Sequence, residues 1–97
     1  MFIQVIDFHT SRMEEGQKHI DEYLASTEGT RKSRRGILTQ DREDPTRYVN
    51  IVFFDSYEDA MANSELPETQ KLSAALMGLG DGPPTFSNLE VISDKQQ

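Results

Sequence analysis

The apolar positions of this chain fall into short blocks whose spacing switches between two and about three and a half residues. Residues Phe2 to Phe8 place Phe2, Gln4, Ile6 and Phe8 on one side and Ile3, Val5 and Asp7 on the other, which predicts a strand with mostly apolar character on both faces. Ser11-Arg12-Met13-Glu14 has the form of a capping box, with Ser11 as N-cap. It opens a helix whose stripe runs through Met13, Gly16 or Gln17, Ile20 and Leu24 and stops at Gly29. Lys32 to Gln40 predicts a second strand, Asp41 to Thr46 a turn around an Asp-Pro step, and Arg47 to Phe54 the clearest strand in the chain. In that strand Tyr48, Asn50, Val52 and Phe54 share one face, and Val49, Ile51 and Phe53 the other.

A second capping signature, Ser56-Tyr57-Glu58-Asp59, opens the next helix, which stops at Ser64. Ser64 is placed to cap a further helical segment with Pro67 in its first turn and an apolar stripe at Leu72, Ala75, Leu76 and Leu79. Gly78, Gly80, Gly82 and Pro83-Pro84 end it. Thr85 to Ile92 predicts the last strand, and residues 93–97 a frayed polar tail.

The order is β-α-β-β-α-β in one domain spanning residues 1–97. It predicts an α+β, ferredoxin-like fold: a four-stranded antiparallel sheet with its helices on one face. The other face would then expose apolar residues of three strands, a patch larger than monomers usually tolerate. A second copy of the chain is the simplest cover, so the sequence predicts a homodimer through the open sheet face.

Composition narrows the functional classes. The chain of 97 residues is acidic, with a net charge of −7, which disfavours nucleic acid as a partner. The one dense basic stretch is Arg31, Lys32, Arg34 and Arg35. It reads as a solvated edge, with an anionic ligand or a partner's acidic patch as the functional alternative. There is no cysteine, so disulfides, thiolate catalysis and cysteine-ligated metals are excluded. No apolar run approaches the roughly 18 residues of a membrane span, and the N-terminal segment lacks the charge pattern of a signal peptide. The expectation is a cytoplasmic protein without membrane contact. The acidic turn Asp41-Arg42-Glu43-Asp44 lacks the spacing of a calcium loop, and the glycines near residue 80 lack the lysine of a phosphate loop, so no metal and no cofactor is expected.

The residues that remain as candidates for chemistry are few. His9 follows the first strand, and histidine is the residue type suited to proton transfer near neutral pH, so it is a candidate general base, with an exposed loop histidine as the bland reading. His19 reads as a surface residue of the helix. Asn50 is polar within an apolar strand, so its amide either satisfies a neighbour or orients a substrate oxygen. Tyr48, two residues earlier on the same face, adds a phenol beside it. His9, Tyr48 and Asn50 form the candidate catalytic set. Asp7, Tyr57, Met61 and Asn63 are the candidate substrate-binding set, of which Met61 also reads as core filler.

The run Tyr48-Val49-Asn50-Ile51-Val52-Phe53-Phe54-Asp55-Ser56-Tyr57-Glu58-Asp59-Ala60-Met61 resembles that of the dimeric α/β-barrel superfamily, nearest to the antibiotic-biosynthesis-monooxygenase-like domains. Asn63-Ser64-Glu65-Leu66-Pro67-Glu68 before an apolar helix adds to the likeness, which covers nearly the whole chain. The resemblance implies a barrel of two sheets packed face to face, with a pocket between each sheet and its helices. It also implies a cofactor-independent monooxygenase acting on a small aromatic or polyketide-like substrate. The residues argue against the haem-degrading branch, because Asp7 stands where that branch has Asn, there is no Trp, and no His follows residue 19. The same lack of Trp keeps a second class open, a non-catalytic dimeric small-molecule-binding or structural protein. An isomerase or lyase using one general base is the third.

Overall fold

The computed structural model describes residues 1–97. Its elements run β1 (Phe2–His9), α1 (Met13–Ser26), β2 (Arg35–Gln40), β3 (Arg47–Phe54), α2 (Tyr57–Ser64), α3 (Pro67–Leu79) and β4 (Thr85–Glu90). The four strands form one antiparallel sheet in the order β2-β3-β1-β4. This is the ferredoxin-like α+β arrangement that the element order predicts, with three helices.

Strand alternation sorts the sheet residues onto two surfaces. Opposed pairs such as Phe2 with Phe54, Ile6 with Asn50 and Phe8 with Tyr48 share the helix-facing side. Phe2 and Phe54 are each 2% exposed and, with Ala60 of α2, make the buried core, onto which Val52 and Met61 pack. Helices α1 and α3 pack on each other at Gly16, where a Cβ would come within 3.4 Å of Leu76 and 3.9 Å of Leu79. The opposite surface carries Ile3, Val5, Ile37, Val49, Ile51 and Phe53, all half-buried, and no helix covers it. Only 7 of the 97 residues are buried, so the single chain holds a thin core.

Several local expectations are corrected by tertiary contacts. Ser11 does not cap α1; Arg12 occupies the N-cap with no side-chain cap bond. Buried Thr10 takes over the anchoring role, accepting from the Arg12 backbone N–H at 3.0 Å and donating to the Leu79 carbonyl at 2.8 Å. Arg12 then pairs with Glu15 rather than leaving Glu14 to close a capping box. Helix α1 ends at Ser26, before Gly29; fully buried Thr27 is its C-cap and donates both its hydroxyl, at 2.6 Å, and its N–H to the Tyr23 carbonyl. Gly29 lies just beyond, at φ +89°. Strand β2 starts at Arg35 instead of Lys32, since the Lys32 N–H is drawn to the Asn63 side chain. Ser64 stays inside α2 and donates to the Met61 carbonyl, while Leu66 precedes α3 with Pro67 at its first turn. Strand β4 closes at Glu90, short of Ile92, and nothing beyond it forms a helix or strand. The Ser56 cap does form, accepting from the Asp59 N–H at 3.1 Å. No helix is long and apolar enough to cross a membrane.

Candidate functional site

The helix-facing surface of the sheet has an apolar core at one end and a more open region at the other. The open region is built from β1 and β3. Phe8 and Tyr48 are opposed across the ladder, and their rings stack at 5.8 Å between centroids with 24° between planes. The Tyr48 hydroxyl accepts from Gln40 Nε2 at 3.3 Å, which leaves its own O–H free to donate. One pleat further along, Asn50 lies between Ile6 and Leu38 in the register. It is half-buried, and its amide makes no hydrogen bond within the chain. The amide is within reach of solvent, so water or a ligand can supply its partner.

A cavity of about 410 Å³ lies where Tyr48 meets the start of α1, lined by Ser11, Arg12, Met13, Glu14, Glu15 and Tyr48. Arg12 and Glu15 close one side with a two-point ion pair at 3.1 and 2.7 Å. The hydrogen bond from Arg12 holds the Glu15 carboxyl below its ordinary range and raises the guanidinium in turn.

The structure separates residues that the sequence grouped. His9 and Asp7 are on the opposite face of the sheet from Tyr48 and Asn50, by the same two-residue alternation. His9 reaches Asp44 at 3.4 Å, and Asp7 is gripped by Arg47 through Nε at 3.2 Å and Nη2 at 2.6 Å. Arg47 also donates to Asp41 at 2.8 Å, which together with backbone donors from Glu43 and Asp44 depresses the Asp41 carboxyl. The Asp44 carboxyl is likewise lowered, chiefly by the Thr46 hydroxyl and N–H. His9, Tyr48 and Asn50 therefore do not converge on one point.

The substrate-binding candidates beyond β3 lie at the other end of the sheet. Tyr57 sets its ring edge-on to Phe2 at 5.5 Å, and Met61 packs on the buried core. Asn63 is 6% exposed and fully engaged: its Oδ1 accepts from the Lys32 N–H at 2.9 Å and its Nδ2 donates to the Tyr23 hydroxyl at 3.1 Å. Thr69 donates to the same hydroxyl, so Asn63 joins α1, α2, α3 and the basic loop. The basic loop itself borders a smaller cavity of about 230 Å³ lined by Arg31, Lys32, Ser33, Arg34, Asp55 and Asp59. There Arg34 is paired with Asp55, whose carboxyl is lowered by that bond.

Sequence reasoning missed Phe8, Gln40 and the first turn of α1 as neighbours of Tyr48. Phe8 was readable, since it shares parity with the helix-facing residues. Gln40 and α1 needed the register and the tertiary fold.

No family model and no curated protein matches the sequence. Solved structures do match the fold. SnoaB, a cofactor-independent oxygenase from Streptomyces nogalater, superposes with a TM-score of 0.82 at 15% identity, covering 99% of this chain and 97% of that one. The chain has the antibiotic-biosynthesis-monooxygenase-like fold. An antibiotic biosynthesis monooxygenase superposes with a TM-score of 0.78 at 12% identity, over 96% of this chain and 100% of the other. A conserved protein from Methanosarcina mazei Go1 gives 0.79 at 10% identity, over 92% and 91%. At these identities the monooxygenase-like fold is what is shared, and the chemistry must be argued from the cleft.

Proposed function

We propose that the helix-facing cleft takes up a small aromatic or polyketide-like molecule and promotes its oxidation by O₂. The observation that supports this most is the unbonded Asn50 amide beside the Phe8–Tyr48 stack. An aromatic ring would lie against the stacked rings, the Asn50 amide would hold a ring oxygen, and the Tyr48 O–H would donate to a second oxygen. The sheet residues that face the helices, Gln4, Ile6, Phe8, Leu38, Gln40, Tyr48, Asn50 and Phe86, carry no charge, while the α1 side of the cavity carries Arg12, Glu14 and Glu15, of which Arg12 and Glu15 pair with each other.

Such a substrate supplies its own electrons. In the keto tautomer of a ring-activated phenol, the ring CH₂ loses a proton to water at the open rim of the cleft. The carbanion adds O₂ to give a peroxide that takes a proton back from water, and loss of water from the hydroperoxide leaves a carbonyl. One oxygen atom ends in the product and one in water. The chain's part is to hold the substrate and to stabilise the developing oxyanion with the Asn50 and Tyr48 donors. The working unit in this reading is a homodimer that buries the open sheet face.

An oxygen electrode with a panel of ring-activated hydroxynaphthalenes tests the reading. Catalysed uptake that falls at least 10-fold in Asn50→Leu supports it. Uptake equal to the buffer rate for every compound overturns it. The placement of His9 across the sheet favours a second reading, a binding protein without turnover, which predicts saturable binding of the same compounds and no product. It also removes the candidate base from the isomerase or lyase scheme.

A further inference from the structure

By its sequence Glu14 is the closing residue of a capping box, a task the fold withholds. Its carboxylate would there turn back to the backbone at the helix start. Here the start of α1 is held by other groups. The Arg12 N–H is taken by the Thr10 hydroxyl at 3.0 Å, and the Arg12 guanidinium by Glu15 at 3.1 and 2.7 Å. Lys18, one turn along α1, forms no ion pair with Glu14, nor does any other cation of the chain. Glu14 instead lines the cavity of about 410 Å³ that it shares with Tyr48.

The other acids around β1 and β3 are engaged. Asp7 and Asp41 are both gripped by Arg47, and Asp44 accepts from Thr46 and faces His9. Among the titratable groups on the cavity wall, Arg12, Glu14, Glu15 and Tyr48, only Glu14 is an acid without a partner. The oxidation needs a proton acceptor at this wall, because the ring CH₂ must lose a proton before O₂ adds, and bare water is a poor base. A carboxylate reached through one water supplies a base at fixed position without a new contact to the substrate.

We infer that Glu14 is this acceptor. The C–H bond breaks, its proton passes to the water at the rim, and that water gives one of its own protons to a Glu14 carboxylate oxygen. The electron pair stays on the substrate as an enolate, whose oxygen is held by the Asn50 and Tyr48 donors. After O₂ adds, the water carries the proton from Glu14 back to the peroxide, and the carboxylate is restored. The inference rests on the reading of the cleft as the oxidation site. It supplies the group that His9, across the sheet, cannot.

Deuterium exchange without oxygen isolates the proton step. The probe is 2-tetralone, a bicyclic ketone with an activated benzylic CH₂, held anaerobically in D₂O with wild type, Glu14→Ala or Glu14→Asp and followed by proton NMR. Circular dichroism checks folding. Wild type should speed the loss of the CH₂ signal over buffer, and in Glu14→Ala this protein-dependent exchange should fall by about 100-fold at unchanged affinity for 2-tetralone. Glu14→Asp should keep part of the rate. Added acetate should restore exchange in Glu14→Ala and leave wild type as it was, a response that a merely structural role does not give. Exchange equal in wild type and Glu14→Ala, a variant that acetate does not rescue, or a wild type that binds 2-tetralone without speeding exchange overturns the role of Glu14 and leaves the cleft standing. A wild type that does not bind 2-tetralone at all overturns the cleft and Glu14 together.

Discussion

Two asparagines on this chain look alike in sequence and are used in opposite ways, and replacing each by alanine separates them. Asn63 is 6% exposed and makes two hydrogen bonds, accepting from the Lys32 N–H at 2.9 Å and donating to the Tyr23 hydroxyl at 3.1 Å. Each bond is worth about 1 kcal/mol net, and the stranded partners add desolvation, so Asn63→Ala should cost about 2–3 kcal/mol. For a domain of this size, 1 kcal/mol corresponds to about 4–8 °C in Tm, which puts the loss at about 10–20 °C. Asn50 makes no bond within the chain, so Asn50→Ala should stay within about 0.5 kcal/mol of wild type. Thermal unfolding followed by circular dichroism, at one fixed protein concentration, reads both values. Ligand uptake should show the reverse order, lost in Asn50→Ala and kept per folded molecule in Asn63→Ala. The reasoning is refuted if Asn63→Ala moves Tm by less than 3 °C, or if Asn50→Ala costs as much as Asn63→Ala.

Other outcomes follow from the same geometry. Phe54, 2% exposed against Phe2 and Ala60, should cost about 3–5 kcal/mol as Phe54→Ala in urea unfolding. Gly16→Ala should raise stability by about 0.5–1 kcal/mol, because the new Cβ meets only side-chain ends, of Leu76, Met13 and Leu79 at 3.4, 3.5 and 3.9 Å, while helix propensity improves. Bulkier Gly16→Leu should destabilise in the same assay by forcing α1 from α3. Glu15, Asp41, Asp44 and Asp55 all have carboxyls held below their ordinary values by hydrogen bonds and ion pairs. The unfolded chain therefore takes up protons first as pH falls. Their contribution is complete above the ordinary carboxylate range and fades as pH drops through it toward the lower folded values, so Tm should fall as pH drops below about 4.

Much of the fold was legible because the period of the apolar positions matched the element that formed. The alternation of Phe2–Phe8 and Arg47–Phe54 placed both central strands within a residue of their observed ends, and Ser56 capped α2 as its sequence suggests. The ends that moved were set by long-range bonds. Thr10 displaced Ser11 because its hydroxyl reaches the carbonyl of Leu79, 69 residues away. Lys32 left the second strand because Asn63, 31 residues on, accepts its N–H.

The site was legible in part. Tyr48 and Asn50 shared a face in the sequence pattern and share it in the fold. His9 was grouped with them for its chemistry, although one more step of the alternation puts it across the sheet. Asn63 carried no sign in the sequence that its amide would be consumed by Tyr23 and Lys32, since those partners come from α1 and a loop. Arg47 was read as the first residue of a strand, and only the register shows it bridging Asp7 and Asp41.

The central claim is that the cleft beside Tyr48 and Asn50 receives an aromatic guest. A titration of isotope-labelled protein with 1-naphthol, followed by amide NMR, addresses it most directly. The account predicts saturable shifts at Phe8, Met13, Tyr48 and the Asn50 side-chain amide, and their loss in Asn50→Leu. Saturable shifts confined to the Arg31–Arg34 loop, or no saturable shift at all, would contradict it.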